Sequence, residues 1–193
     1  MLNEQQAPAE DVNEEGLAPD PYEHRVNGFL GAEFLMWLWW RAEREQGQVH
    51  LADLGPVAFW LDDELVLSTP GPDSATARWS GGAPTAGPEG LGSVAAGKRV
   101  DKLRLGVRVE NARAEFSVVL DAERLDIHGL KMPKEDGGEP LERLTERLHY
   151  LEVIRSVVDA LFAGFLRART HERWDSDWAP EIREWVRTSV AGD

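Results

Sequence analysis

Six basic residues, Lys98, Arg99, Lys102, Arg104, Arg108 and Arg113, lie within sixteen positions that hold two acids, Asp101 and Glu110. In a chain of net charge −14 this stretch has the sign to hold an anion. Cations in a row along a strand suit phosphate recognition, because each displaces a condensed counterion from a polyanion. Lys102, Arg104 and Arg108 share strand parity, so they project from one face. The same row also has a purely structural reading. If Glu110 and Arg113 flank a two-residue turn, Arg108 falls opposite Glu115 and Lys102 opposite Asp121. Cross-strand ion pairs then absorb most of the charge. Arg104 falls opposite Val119 and has no carboxylate in that register. The candidate nucleic-acid-binding residues are therefore Lys98, Arg99, Lys102, Arg104 and Arg108.

No other grouping has the types and spacing of a reaction centre. The sequence contains no GxSxG, GxxxxGK[ST], GxGxxG or HExxH motif, so the usual nucleophile elbow, phosphate loop, dinucleotide turn and zinc helix are missing. Without cysteine there is no thiolate nucleophile, disulfide or zinc–thiolate site. The five histidines (His24, His50, His128, His149, His171) show no paired ligand spacing. Asp62, Asp63 and Glu64 read as a solvated hairpin tip. His171, Glu172, Asp175 and Asp177 have metal-ligand chemistry but follow a helix without convergent spacing. No acid is followed two residues later by lysine in a strand, which disfavours a metal-dependent nuclease. The expectation is a non-catalytic protein with no cofactor and no metal.

Eight tryptophans offer faces on which unpaired bases stack. Trp37, Trp39 and Trp40 fall in the most apolar segment, which favours burial in a core or interface. Trp174, Trp178 and Trp185 suit the docking face of a closing helix. Trp60 and Trp79 remain for exposed stacking.

These residues need elements to position them. Phe29 to Gln46 reads as a helix, with Leu30, Phe34, Trp37, Leu38 and Arg41 at helical spacing. Val57–Leu61 and Leu65–Ser68 read as a hairpin about the acidic triplet. Thr69 to Gly92 reads as a long loop, or as a short edge strand near Ala77–Trp79 followed by a loop. In Val100 to Asp121 the alternation of Leu103, Leu105 and Val107 with charged residues resumes as Phe116, Val118 and Leu120. A two-residue turn puts all six on one face, and a slip of one residue would expose them all. Leu125 and Ile127 continue as a third strand. Glu139 to Thr170 reads as a long amphipathic helix through Leu141, Leu144, Leu148, Leu151, Ile154, Val158, Leu161 and Phe165. Trp174 to Val190 closes the chain as a shorter helix, with Pro180 near its first turn. The fold class is α+β: an antiparallel β-sheet packed against a Trp-rich N-terminal helix and a long C-terminal helix.

Residues 1–27 carry seven acids and one base, which is −6 of the net −14. Pro-, Glu- and Gln-rich, this stretch reads as a disordered acidic tail, and 28–193 as one domain. At 193 residues and 42% hydrophobic content the chain can build a core without metal or disulfide staples. Its N-terminus lacks the order of a signal peptide, and its most apolar run, Phe29 to Trp40, is too short to span a bilayer. A cytoplasmic location without membrane contact is expected.

Two segments resemble a known family. The run AAGKRVDKLRLGVRVENARAEFSVVLDAERLDIHGLKMP, Ala95 to Pro133, resembles the C-terminal part of the recombination-associated RdgC family: a basic strand, a return strand, a short third strand with a "LK" segment, then a long helix. FLGAEFLMWLWWRAE, Phe29 to Glu43, resembles a helix of its short members. Together they span roughly half the chain. The resemblance implies a dimeric protein that binds double-stranded DNA with little sequence preference, encircles it through a basic lumen and restrains a RecA-type recombinase. By position, Lys98, Arg99, Lys102 and Arg104 would face the DNA. The chain is shorter than the enterobacterial members and has Ala32 where arginine is expected; both departures bear on ring closure. The competing expectation is a protein–protein adaptor that uses the Trp-rich and long helices and binds no nucleic acid.

Overall fold

The alternating strand and the long helix both form where their patterns place them. The structure, a computed structural model, describes residues 23–44, 46–71, 75–81, 88–133 and 138–191. In chain order the elements are α1 (Glu23–Arg44), β1 (Gln48–Leu51), β2 (Gly55–Ser68), β3 (Thr76–Ser80), α2 (Pro88–Ala95), β4 (Arg99–Val109), β5 (Ala114–Asp121), β6 (Ile127–Lys131) and α3 (Pro140–Arg169). A π-helical turn, Trp174–Trp178, then leads into α4 (Ala179–Ala191). The fold is α+β. The expected acidic tail lies outside the described residues, except for its last few positions, which open α1. No helix among the described residues is long and apolar enough to cross a membrane.

The sheet is antiparallel, in the order β1-β2-β4-β5-β6, with β3 also pairing β2. β4 and β5 meet in the register read from the sequence: Leu103 opposite Leu120, Leu105 opposite Val118, Val107 opposite Phe116. The Arg113 N–H donates to the Glu110 carbonyl and closes the turn. The apolar face of β4 and β5 is fully buried, together with Leu35, Leu38 and Trp39 of α1. The second half of α3 covers the other side of α1, where Phe34 meets Phe162 edge-on with ring centroids 5.1 Å apart. Trp185 of α4 meets Trp39 in the same way at 5.9 Å. The Trp-rich helix is therefore wrapped on several sides.

Three expectations change. The hairpin expected over Val57–Ser68 is one continuous strand, β2. Leu61 pairs with Leu105 and Leu65 with Leu103, so Asp62–Glu64 form a bulge rather than a turn. Cations from β3, β4 and β6 neutralise Asp63 and Glu64 within this bulge, which a local pattern does not reveal. Part of the Thr69–Gly92 stretch belongs to α2, whose Gly90 and Gly92 weaken the helical signal but whose Leu91 is buried. The closing helix begins as α4 only at Ala179, after the π-helical turn. The edge strand near Ala77–Trp79 forms as β3, and α3 starts on a capping box between Glu139 and Glu142.

Candidate interaction surface

The cationic row on β4 is largely neutralised. Lys Nζ of Lys102 lies 2.6 Å from Asp121, and Arg108 donates from Nε and Nη2 to Glu115 at 2.9 and 2.8 Å. The Arg108 guanidinium also sits 5.7 Å from the Trp60 ring centroid. Arg104 departs most from expectation. It is only 8% exposed, not a free cation on an open face. Its Nη1 donates to the Gly129 carbonyl at 2.7 Å and its Nη2 to Glu64 at 3.2 Å, while its Nε lies 3.1 Å from Asp63. Asp63 also receives Lys131 at 3.3 Å, and Glu64 receives Arg78 at 2.7 Å. The β2 bulge supplies both carboxylates, and only the β4–β5 register could be derived from the sequence. Lys98, just before β4, is half-buried and Arg99 is exposed. Neither has a carboxylate partner among the described residues. A continuous phosphate track along β4 is thus interrupted after its first two cations.

Asp121 is held below the ordinary carboxylate range. Burial pushes its pKa up, but the Lys102 ammonium and the N–H groups of Arg124 and Glu123 together outweigh that. The two N–H groups donate to its Oδ1 at 3.1 and 2.9 Å. A depressed folded-state pKa adds stability above the unfolded value, and this is lost as pH falls through the folded value. Asp121→Asn should therefore be less stable than wild type at neutral pH. The gap in urea midpoint should close between about pH 5 and pH 2. A gap independent of pH would refute this account of Asp121.

Of the tryptophans proposed for burial, Trp37, Trp39 and Trp40 are buried in the main core with Trp174 and Trp185 beside them, whereas Trp178 is half-buried at its edge. Trp60 is half-buried, its ring so close to Gly106 that a Cβ there would lie 2.3 Å away. Trp79 is half-buried opposite Leu65. Neither is an open stacking platform. Among the described residues no group of three His, Asp or Glu side chains could hold a metal.

One surface was not anticipated. The stripe expected to be buried along α3 divides. Val153, Ile154, Val157, Val158, Leu161 and Phe165 are buried. Leu141, Leu144, Leu148 and Leu151 are 73, 53, 52 and 45% exposed. From Leu141 to Glu152 only Glu146 and Tyr150 are even half-buried. A signal was present. A 30-residue helix is about 45 Å long, whereas an eight-residue strand such as β5 spans about 27 Å. The sheet cannot cover the whole helix. Toward the body, the row leads to Val158 and Phe162, which line a cavity of about 140 Å³ with Leu125 and Ile127, themselves exposed.

The fold and this surface define a sheet-and-helix domain that presents an uncovered, heptad-spaced leucine row. Comparison of the sequence with protein-family models and with curated proteins gave no match to either.

Proposed function

We propose that the chain is a protein–protein interaction module whose docking element is the first half of α3. The observation that carries this reading is the row Leu141, Leu144, Leu148, Leu151, spaced 3-4-3 and exposed along its length. Such spacing makes the seam of a coiled coil, in which each leucine enters a hole between four residues of a facing helix. Contiguous exposed apolar rows of this kind mark interaction surfaces. Covering a half-exposed leucine gains about 1 kcal/mol, so four here and four on the partner gain about 8 kcal/mol. That is of the size association costs, and it suits a reversible contact. The buried half of α3 anchors the helix, so little ordering entropy opposes docking. The Trp-rich helix adds nothing to this surface, because its rings fill the core.

The test pairs Leu144→Glu with Leu148→Glu. Both leucines lie outside the core, so the double variant should melt within about 3 °C of wild type, the shift expected for less than 1 kcal/mol. At low micromolar protein, wild type should bind a fluorescent three-heptad peptide with leucine at its seam positions, and the variant should not. A wild-type protein that ignores the peptide and never self-associates overturns the proposal.

A second reading is sequence-independent binding of double-stranded DNA, with a recombinase as a further partner, as the family resemblance implies. It is favoured by Lys98 and Arg99, whose charges meet no carboxylate among the described residues. Duplex binding should then fall steeply with salt and vanish in Lys98→Glu/Arg99→Glu. Absence of wild-type binding at low salt removes this reading.

A further inference from the structure

We infer that the end of α3 and the adjoining face of α1 form a binding site for a small anion that carries a flat aromatic ring. The site goes beyond the interaction reading and does not rest on it. The leucine row occupies the first half of α3, whereas this cleft lies at its last two turns. Its volume is about 370 Å³, within the range of small-molecule sites, about 300–1,000 Å³. Trp37, Trp40 and Arg41 reach it from one face of α1, at helical spacing. Gly164 and Arg167 reach it from α3, His171 from the turn that follows, and Trp178 from the π-helical turn. Gly164 sets the floor. Trp37 Cη2 and Arg167 Nη2 lie 3.6 and 3.9 Å from the point where a Cβ on that glycine would stand, so the indole and the guanidinium close over bare backbone.

The lining has one sign. The chain holds 35 acids against 21 lysines and arginines, yet two arginines, a histidine and no carboxylate line the cleft. The Arg41 guanidinium is held over the Trp37 ring, 5.1 Å from its centroid. Arg167 is exposed and has no carboxylate partner among the described residues. Acids on the flanking segments are engaged elsewhere: Glu33 with Arg169 at 2.8 Å and Asp177 with Arg173 at 2.5 Å. Glu172 is not part of the lining. The Arg173 N–H, which can only donate, meets His171 Nδ1 at 3.1 Å. The neutral imidazole therefore carries its proton on Nε2 and donates from there. Arg167 and His171, four residues apart, supply a charged fork and a second donor, which suit a carboxylate or a phosphate. His171 and Trp178 supply ring faces, their centroids 5.6 Å apart and their planes inclined at 50°. Trp40, in the wall, keeps a buried Nε1–H with no acceptor among the described residues. The rings select a planar group and the cations select its charge, so a ring or an anion alone meets only half of the site.

Titration calorimetry of the full chain at low salt, with adenosine monophosphate and with indoleacetate as probes, tests the site and separates the two anions. At least one probe should bind with a Kd below about 1 mM. Binding of the nucleotide alone assigns a phosphate ligand, and binding of indoleacetate alone a carboxylate. Adenosine, methylindole and inorganic phosphate each lack one half of the chemistry and should bind at least about tenfold more weakly. Arg167→Glu should weaken the bound probe about 10–100-fold, the worth of a charged hydrogen bond. Its side chain is exposed, so the variant should melt within about 3 °C of wild type. Leu144→Glu/Leu148→Glu should bind the probe as wild type does, which keeps the outcome independent of the leucine row. The site is overturned if neither probe binds wild type, if a neutral analogue binds as tightly as its anion, or if Arg167→Glu keeps full affinity.

Discussion

Arg104→Ala should lower the melting temperature by about 5–15 °C, although it removes a single side chain from a strand face that the sequence reads as solvated. The guanidinium lies between two carboxylates and a backbone carbonyl, and its side chain is 10% exposed. Removing one partner of a buried ion pair costs about 3–5 kcal/mol, because the other charge stays buried without compensation. Here the cost is nearer 2–4 kcal/mol. The Asp63 side chain is 42% exposed, and Lys131 and Arg78 still hold one carboxylate each. Each kcal/mol corresponds to about 2–4 °C in a domain of this size. If the loss comes from stranded carboxylates, neutralising them should recover it. Arg104→Met combined with Asp63→Asn and Glu64→Gln should therefore melt closer to wild type than Arg104→Met alone. A thermal melt of Arg104→Ala within about 2 °C of wild type would show that the network contributes nothing. The result also governs any nucleic-acid experiment. A charge reversal at Arg104 would abolish binding by unfolding the sheet, so Lys98 and Arg99 are the informative positions.

The difference between β4 and β2 shows which interactions a sequence exposes. In β4–β5 a two-residue turn and an alternating pattern both fix one register, and the observed pairs agree with it down to Arg108 opposite Glu115. The β2–β4 pairing spans about 40 residues, and no turn sets its register. The consecutive acids there looked like a hairpin tip, whereas they form the bulge that neutralises Arg104. The cations were thus recognisable by type but not by partner. The long helix poses the same problem on a larger scale. Its apolar period continues from Leu141 to Phe165, so the pattern alone cannot say where the domain stops covering it. Only the tertiary arrangement divides the stripe into a core half and an exposed half, and the candidate site lies in that division.

Gly31→Ala and Gly164→Ala are the same substitution in two helices, and they should move stability in opposite directions. Intrinsic propensity favours alanine at both by about 1 kcal/mol, since glycine loses more backbone entropy on entering a helix. At Gly164 of α3 a new Cβ would meet Trp37 Cη2 at 3.6 Å and Arg167 Nη2 at 3.9 Å. These are ordinary contacts with side-chain ends, so propensity decides, and the variant should gain about 0.5–1 kcal/mol. At Gly31 of α1 the Cβ would lie 1.8 Å from the Ala122 carbonyl oxygen and 2.6 Å from its carbon. That oxygen cannot move aside. The Ala122 N–H donates to the Asp101 carbonyl at 2.7 Å, and the Asp121 carboxylate holds the next two residues of the turn. α1 would have to lift from the sheet, loosening Leu35 and Leu38, which lie one and two turns further along the same face and are buried. Overpacking typically costs about 1–3 kcal/mol, and more where only backbone can yield. Gly31→Ala should therefore lose at least about 3 kcal/mol, close to 10 °C in melting temperature. Gly31 belongs to the FLGAEF segment of α1. In this fold its role is to let α1 reach the β5–β6 turn. If both variants melt higher than wild type, the close approach of α1 to Ala122 is wrong.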